Sequence, residues 1–558
     1  MAETRKTGGE LVVAMLERNG VDRVFCVPGE SYLAVLDALH DSDIELTLCR
    51  QEGGTAMMAE ADGKLTGRPG ICFVTRGPGA TNAAAGVHVA KQDSTPMILF
   101  VGQIGRDHRE REAFQEVDYR QMFGPLAKWV TEIDSAERVP EIIARAFTVA
   151  MSGRPGPVVI ALPEDMLRET AEVPLPAPSV VVEASPGATQ MADLGERLAA
   201  ARAPIVILGG SRWNEEARAA VTRFAERFDL PVTCSFRRQM LFDHDHPNYA
   251  GDVGIGINPK LAARIRDADL VLLLGGRMSE MPSQSYTLFD IPTPRQQLVH
   301  VHADAGELGR VYQPALAINA SPVQFAAALD DLAPAAPPSW GEATRAARAD
   351  FEAWSTPPAN NPGDVHMGPI VSALRARLDD ETLIANGAGN YATWVHRFWR
   401  FRRFNTQLAP TSGSMGYGLP GAIAGKLRFP ERNVVAFIGD GCFQMTCQEF
   451  GTAVQAGAAI VVVLVDNGIY GTIRMHQEKN YPARVIATDL VNPDFAAWAR
   501  SYGGHGETVT KTDEFMPAFE RAVASGKPAI LHVRLAPEAI TPTATLTGLR
   551  KAALAEKG

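Results

Sequence analysis

Two interruptions in one stretch carry side chains that could hold a metal. The apolar run Val434–Ile438 stops at Gly439-Asp440-Gly441, and the run Ala459–Val465 stops at Asp466-Asn467-Gly468. Each leaves an oxygen-bearing side chain, Asp440 and Asn467, just past the end of a buried strand, where parallel α/β sheets gather ligands. Carboxylate and amide oxygens, completed by water and a ligand's phosphates, are the donor set Mg²⁺ prefers. Gly441 lets a diphosphate approach the backbone, and a helix opening there offers free N–H groups. The stretch therefore reads as a site for a Mg²⁺-bound diphosphate. Its competitor is two ordinary Asp-Gly and Asn-Gly turns, set against the pairing of both breaks around one crossover.

A second site is Arg50-Gln51-Glu52-Gly53-Gly54. Glu52 follows the strand-like Glu45–Cys49 and opens a helix of small residues, surroundings that raise a carboxylate's pKa. An acidic residue favouring a helix N-terminus is the plainer alternative.

The elements that must position these residues alternate along the chain. In the first segment, strand-like runs at Arg23–Val27, Glu45–Cys49, Gly70–Thr75, Met97–Gly102 and Pro157–Leu162 are separated by helical patterns. The second carries two strand-to-glycine turns, Ile205–Gly210 and Val271–Gly276, neither completing GxGxxG, and then Leu298–His302 before Asp304, where such folds hold a ribose. The third alternates again, through Leu383–Ala385, the turn Asn386–Gly389, the loop Thr411–Pro420, the opening stretch and Ala529–Arg534. Strands alternating with helices predict parallel sheets covered on both faces. Pro-rich 174–186 and Pro/Ala-rich 333–338 read as linkers, giving domains at 1–170, 188–335 and 360–540. The small, polar tail 541–558 is expected to be exposed or loosely ordered.

Bulk properties agree. At 558 residues the chain exceeds one ordinary core. A net charge of −10 argues against nucleic acid. No apolar run is long enough to span a membrane, and the start lacks a secretory signal's apolar core. Six cysteines without a CxxC pair suit a reducing cytoplasm, with no zinc site and no disulfide frame.

Together, Gly439-Asp440-Gly441 with Asp466-Asn467, Arg50–Gly54, Arg76-Gly-Pro-Gly-Ala-Thr-Asn82, Phe114-Gln115-Glu116-Val117-Asp118 and Thr411–Pro420 occur in the order of the thiamine-diphosphate enzymes. Over nearly the whole chain the sequence resembles their acetolactate-synthase-like branch. The resemblance implies three doubly wound α/β domains with parallel sheets: pyrimidine-binding, central Rossmann-like and diphosphate-binding. It implies Asp440, Asn467 and the carbonyl of Ile469 as Mg²⁺ ligands. Gly439, Gly441, Cys442, Ile469, Asn390, Gly413 and Met415 fall at its cofactor-binding positions in the third domain, with Met415 as the wedge that bends the cofactor. Pro28, Gly29 and Asn82 fall at such positions in the first domain. Glu52 would hydrogen-bond the aminopyrimidine and tune the cofactor's own base. The implied activity decarboxylates a 2-oxo acid and ligates the remaining fragment to a second carbonyl, in a homodimer or homotetramer whose sites lie between subunits.

Departures bear on the substrate. The histidine pair of yeast-type pyruvate decarboxylases is missing near Arg76-Gly77. Glu30-Ser31 stands where synthases have Gly-Gly, so Glu30 either reaches the substrate or Ser31 caps the next helix. His476 occupies the position of an acceptor-selecting tryptophan. Glu30, Phe114, Gln115 and His476 are thus the candidate substrate pocket. The flavin segment of synthases is replaced by Arg277–Met281, although Arg277 and Asp304 leave an FAD or ADP-like ligand open. Alternatives are a related lyase or carboligase acting on a bulkier 2-oxo acid, a 2-hydroxyacyl thioester, an acyloin or a diketone. From another class, the alternative is a non-catalytic cofactor-binding subunit. Asp243-His-Asp-His246 reads as a solvated turn rather than a metal site, and His88 as packed or partly exposed.

Overall fold

The computed structural model describes residues 5–359 and 361–557. The first four residues and the expected domain start at 360 lie outside them.

Three six-stranded parallel sheets follow one another along the chain. The first contains β1 (Arg23–Cys26), β2 (Glu45–Leu48), β3 (Gly70–Val74), β4 (Met97–Gln103), β5 (Trp129–Glu132) and β6 (Pro157–Pro163), ordered β2-β1-β3-β4-β6-β5. The central sheet contains β7 (Pro204–Leu208), β8 (Val232–Ser235), β9 (Tyr249–Val253), β10 (Leu270–Leu274), β11 (Gln297–His302) and β12 (Leu316–Asn319), ordered β9-β8-β7-β10-β11-β12. The last contains β13 (Leu383–Asn386), β14 (Gln407–Leu408), β15 (Val434–Gly439), β16 (Val461–Asp466), β17 (His505–Val509) and β18 (Ala529–Arg534), ordered β14-β13-β15-β16-β18-β17. The first and last sheets thus share one topology, and the central one has the dinucleotide-fold order. This is the expected α/β class. The chain order reverses between β1 and β3, between β7 and β10, and between β13 and β15. Ligand crevices open at such reversals.

Strands β3, β4, β15 and β16 are buried throughout, as continuous apolar runs in a doubly covered sheet should be. The edges β5 and β14 escaped the sequence reading because a half-buried WVTE and a two-residue QL carry no run to detect.

The helices that join the outer sheets are α1 (Glu52–Thr66), α2 (Pro78–Asp93) and α3 (Gly418–Arg428). Twelve of the fifteen α1 residues are buried, so α1 is an interior helix and shows no amphipathic stripe. Its charged residues are paired inside. Lys64 Nζ lies 3.1 Å from Glu60 and 2.5 Å from Asp93, Tyr417 donates to Glu60 at 2.6 Å, and Arg428 reaches Asp62 at 2.8 Å. The apolar core between the first and last sheets is one continuous cluster.

The helical pattern after Gly441 resolves into a single turn, Asp440–Phe443, and α4 (Glu449–Gln455). Gly471–Asn480 forms α5. The tail differs from expectation. Leu546–Lys557 is a helix, α6, packed on α5; Leu546 and Leu549 of α6 and Met475 of α5 share a small apolar cluster with Ile469 and Ile540, and half-exposed Arg550 pairs with buried Glu478. Its few apolar residues make a contact stripe that a low-hydrophobicity window does not reveal.

Asp243–His246 is also not the solvated turn it suggested. His244 is buried, stacked 4.1 Å from Tyr249, while Asp245 binds Arg400 and Arg402. The segment bolts the central domain to the last. His88 is exposed.

Candidate active site

The first crevice lies between β1 and β3. A Cβ on Gly29 would sit 2.4 Å from Thr75, so Pro28-Gly29 presses directly against the Thr75–Gly79 loop. Ser31 does not cap the next helix; its hydroxyl meets Thr75 Oγ1 at 2.9 Å and accepts from Arg76 N at 3.3 Å. Gly77 takes φ +58°, and a Cβ there would meet Gln115 at 2.8 Å. Gln115 itself has φ +66°, as Glu110 and Glu112 are also left-handed, a concentration of backbone strain typical of functional loops. Glu52, first residue of α1, accepts a 2.9 Å hydrogen bond from Asn82 and approaches Gly79. Gly29, Gln115, Asn82 and Glu52 therefore gather on one sheet edge. Glu30 is exposed beside them, and Phe114 is 77% exposed.

The second crevice lies between β13 and β15. Asp440 Oδ2 accepts from Gly468 N at 3.0 Å and from Asn492 Nδ2 at 2.7 Å. The same two donors reach Asp466 Oδ1, at 2.9 and 2.8 Å. Asp466 Oδ2 is held by His532 at 2.7 Å and by Arg534. Burial pushes the Asp440 carboxyl above its ordinary range, with the Asp466 carboxylate adding to it against the Asn492 hydrogen bond. Asp466 stays low because His532, Asp440, Asn492 and Arg534 outweigh its own burial. Asn467 Oδ1 accepts only a 3.3 Å bond from Ile469 N, and the Ile469 carbonyl accepts no hydrogen bond among the described residues. Two carboxylates thus share two donors, and an amide oxygen and a free carbonyl follow within three residues of Asp466, with no cluster of three His, Cys, Asp or Glu side chains among the described residues.

Behind this edge, Cys442 fills the space under the Gly387–Asn390 turn. A Cβ on Gly387 would lie 2.4 Å from its sulfur, which accepts from Tyr391 Oη and Gly416 N at 3.2 Å each. Gly439 faces the Tyr391 ring and Gly441 faces Tyr470, each at distances that exclude a side chain. Met415 is half-buried against the core, and Gly413, at φ +67°, has open space around it. Asn390 turns toward α5, where Thr472 donates to its Oδ1 at 2.9 Å. His476 stands exposed on α5.

The sequence reading missed Asp466, Asn492, His532 and Thr472. Asp466 lay inside the second break and Thr472 five residues past Asn467, while Asn492 and His532 are farther along the chain; no local pattern marks these three as site residues. The contact near Glu52 is made by buried Glu449 of α4, which accepts from Gln51 N at 2.8 Å and from Arg50 N at 3.2 Å. Burial raises the Glu449 pKa.

Comparison with known proteins follows the same three sheets. Residues 6–122 match the N-terminal TPP binding domain of thiamine pyrophosphate enzymes, 191–329 their central domain and 387–533 their C-terminal TPP binding domain. The fold and matched domains define a thiamine-pyrophosphate-dependent enzyme. The chain belongs to that family, on its acetolactate-synthase-like branch. It is 30% identical over 531 residues to the acetolactate synthase isozyme 2 large subunit of Escherichia coli, covering 95% of each chain. It is 31% identical to the isozyme 1 large subunit of the same organism, again over 95% of each. Identity is 29% to the acetolactate synthase large subunit of Corynebacterium glutamicum, over 93% of this chain and 85% of that one.

Proposed function

We propose that this chain is a Mg²⁺- and thiamine-diphosphate-dependent enzyme that decarboxylates a 2-oxo acid and joins the remaining fragment to a second carbonyl, as in acetolactate synthesis. The observation that carries the reading is the oxygen donor set of Asp440, Asn467 and the free Ile469 carbonyl past the ends of the adjacent strands β15 and β16 of a matched TPP-binding domain. These are hard oxygen ligands, too few alone, and a diphosphate would complete them. The buried carboxylate pair Asp440–Asp466 lacks a counter-charge on its Asp440 side, which a divalent cation supplies. The residues therefore fit the group. Asp440, Asn467 and Ile469 would hold Mg²⁺, with Gly441, Cys442, Asn390 and Gly439 lining the diphosphate, and Met415 and Gly413 lining the ring system.

Thiamine diphosphate supplies the carbanion-stabilising chemistry that a 2-oxo acid needs to lose CO₂. The chain's part is to hold protons and exclude water. Glu52, oriented by Asn82, would keep a hydrogen bond on the pyrimidine nitrogen. Gln115 and Phe114 lie where a substrate would enter above Gly77.

The active site is proposed to form between two copies, as a homodimer or homotetramer. Among the described residues the Glu52 carboxylate is hydrogen-bonded by Asn82 of its own domain, and Phe114, Met445, Ile473 and Val491 are large apolar side chains left exposed. Apolar surface of this kind supports an interface where it forms one contiguous patch. No helix among the described residues is long and apolar enough to cross a membrane. All six cysteines are free and five are buried, which supports the cytoplasmic reading. We carry no flavin into the proposal. Arg277 donates to Gln92 O at 2.8 Å and Asp304 caps Gly306 N at 2.9 Å, so both have other partners. Visible absorbance of the purified protein decides that point.

The substrate pocket is proposed to include Glu30 and His476, which favours an acceptor other than that of the synthases. The test is CO₂ release from pyruvate and a panel of 2-oxo acids, acyloins and thioesters, with thiamine diphosphate and Mg²⁺ added. Cofactor binding without turnover on any member would make the chain a binding subunit. Glu52→Gln should retain cofactor and lose most C2-proton exchange by NMR; full exchange would sink the Glu52 role.

A further inference from the structure

The central domain sends one side chain into the last domain at the back of the proposed cradle. Arg237 follows β8 and takes φ +58°, a strained conformation for a non-glycine residue. Its side chain leaves the central sheet, crosses over the Phe236 ring at 4.7 Å and ends among third-domain backbone. One terminal nitrogen donates to Gly387 O at 2.9 Å and the other to Pro410 O. These carbonyls have nothing in common except position. Gly387 opens the Gly387–Asn390 turn, and Pro410 immediately precedes the Thr411–Met415 loop.

We propose that Arg237 is a positioning residue of the cofactor cradle, a planar two-pronged clamp that fixes the spacing of the two loops on which the diphosphate and ring system would sit. The inference rests on the cofactor reading given above. Arg237 is 3% exposed, and no carboxylate among the described residues forms an ion pair with it. Its Nε is buried without a partner, as is Asn386 Oδ1, although Asn386 Nδ2 shares the Gly387 carbonyl at 2.8 Å. Burial pulls the guanidinium down to about 10, still charged at neutral pH. A cation in this position is expensive as a simple bolt, because an apolar side chain of similar volume would avoid the desolvation. What the guanidinium adds is a fixed fork geometry that addresses two acceptors at once, and a positive charge directly behind a cradle meant for an anion. Arg238 turns the opposite way, donating to Gly210 O at 2.8 Å and to Asp93 O at 2.9 Å. The dipeptide therefore ties all three domains at the place where the loops begin.

The test measures thiamine diphosphate affinity of the full-length protein with Mg²⁺ present, by calorimetry or tryptophan quenching, alongside thermal unfolding of the cofactor-free protein. Arg237→Met should raise the cofactor Kd at least ten-fold. Arg237→Lys should fall between, since one ammonium reaches one carbonyl well but not both in a fixed plane, and it carries the test if Arg237→Met fails to fold. Arg375→Met is the matched control. Arg375 is another buried third-domain arginine, held by two carbonyls, Arg400 O at 2.8 Å and Leu378 O at 3.0 Å, and additionally paired with Asp380, away from either loop. It should lower unfolding temperature and leave Kd within two-fold of wild type. Wild-type Kd in both Arg237 variants, or an equal Kd loss in Arg375→Met, overturns the positioning role while leaving the cofactor reading intact. A wild-type protein that binds no thiamine diphosphate overturns both.

Discussion

Lys64→Met is the sharpest perturbation of the joint between the first and last domains. The Lys64 side chain is 6% exposed and its two partners, Glu60 and Asp93, are fully buried. Asp93 also accepts from the backbone and hydroxyl of Thr411 at 2.7 Å each, and Glu60 from Thr95 and Tyr417 at 2.6 Å each. With Arg238 3.9 Å from Asp93, the cluster has two positive and two negative groups. Methionine fills the volume of the lysine stem but removes one positive charge, leaving a net buried negative charge. At an effective dielectric of about 20 each contact is worth about 5–7 kcal/mol of gross attraction, and desolvation of the ammonium offsets much of it. Removing one partner of such a pair typically costs about 3–5 kcal/mol. Urea unfolding of the cofactor-free protein, followed by tryptophan fluorescence, should show that loss in its first transition. Adding Glu60→Gln to Lys64→Met removes the uncompensated charge, so the double variant should be more stable than the sum of the single losses by about 1–2 kcal/mol. A single-variant loss below about 1 kcal/mol, or additivity within about 0.5 kcal/mol, would refute the claim that these charges depend on one another.

Asp440→Asn should raise the Mg²⁺ Kd at least ten-fold at saturating thiamine diphosphate, measured by calorimetry; an unchanged Kd would remove Asp440 from the metal site. Burial pulls His244, His300 and His396 down to about 3, 4 and 3, from an unfolded value near 6.5. Each is held neutral in the fold, so its stability is complete above pH 6.5 and falls as acid charges the unfolded chain first. Where all three differ fully, the slope is about 4 kcal/mol per pH unit. The urea midpoint should drop between pH 7 and pH 5, and His244→Phe should flatten the fall; a midpoint independent of pH contradicts the buried neutral state. Arg550→Ala leaves Glu478 without its guanidinium partner. Amide exchange should quicken in 546–557 and 471–480 while the sheets keep their protection, and uniform exchange rates would show that α6 does not depend on this pair.

The family resemblance was legible because its motifs are contiguous. Gly439-Asp440-Gly441 ends β15, and Asp466-Asn467 ends β16, so strand and ligand lie in the same few residues. Glu52 could be placed at a sheet edge for the same reason. Alternation of apolar runs with helical patterns was enough for three doubly wound sheets, since a strand buried on both faces must be continuously apolar. Short edge strands and α6 were not legible, because half-buried elements leave little signal in a window.

What the sequence by itself determined is the set of chemically competent residues and the fold class that puts them at strand ends. Tertiary structure alone decided which groups stand around them. Asn492 holds Asp440 and Asp466 together, His532 holds Asp466, Glu449 binds the turn before Glu52, and Arg237 enters from a different domain. These contacts span from 26 to 398 residues of chain. Hydrogen bonds of that separation depend on how whole sheets are stacked, and stacking is set by the summed burial of many side chains. No local spacing carries that information, so the residues that brace the site appear only once the chain is folded.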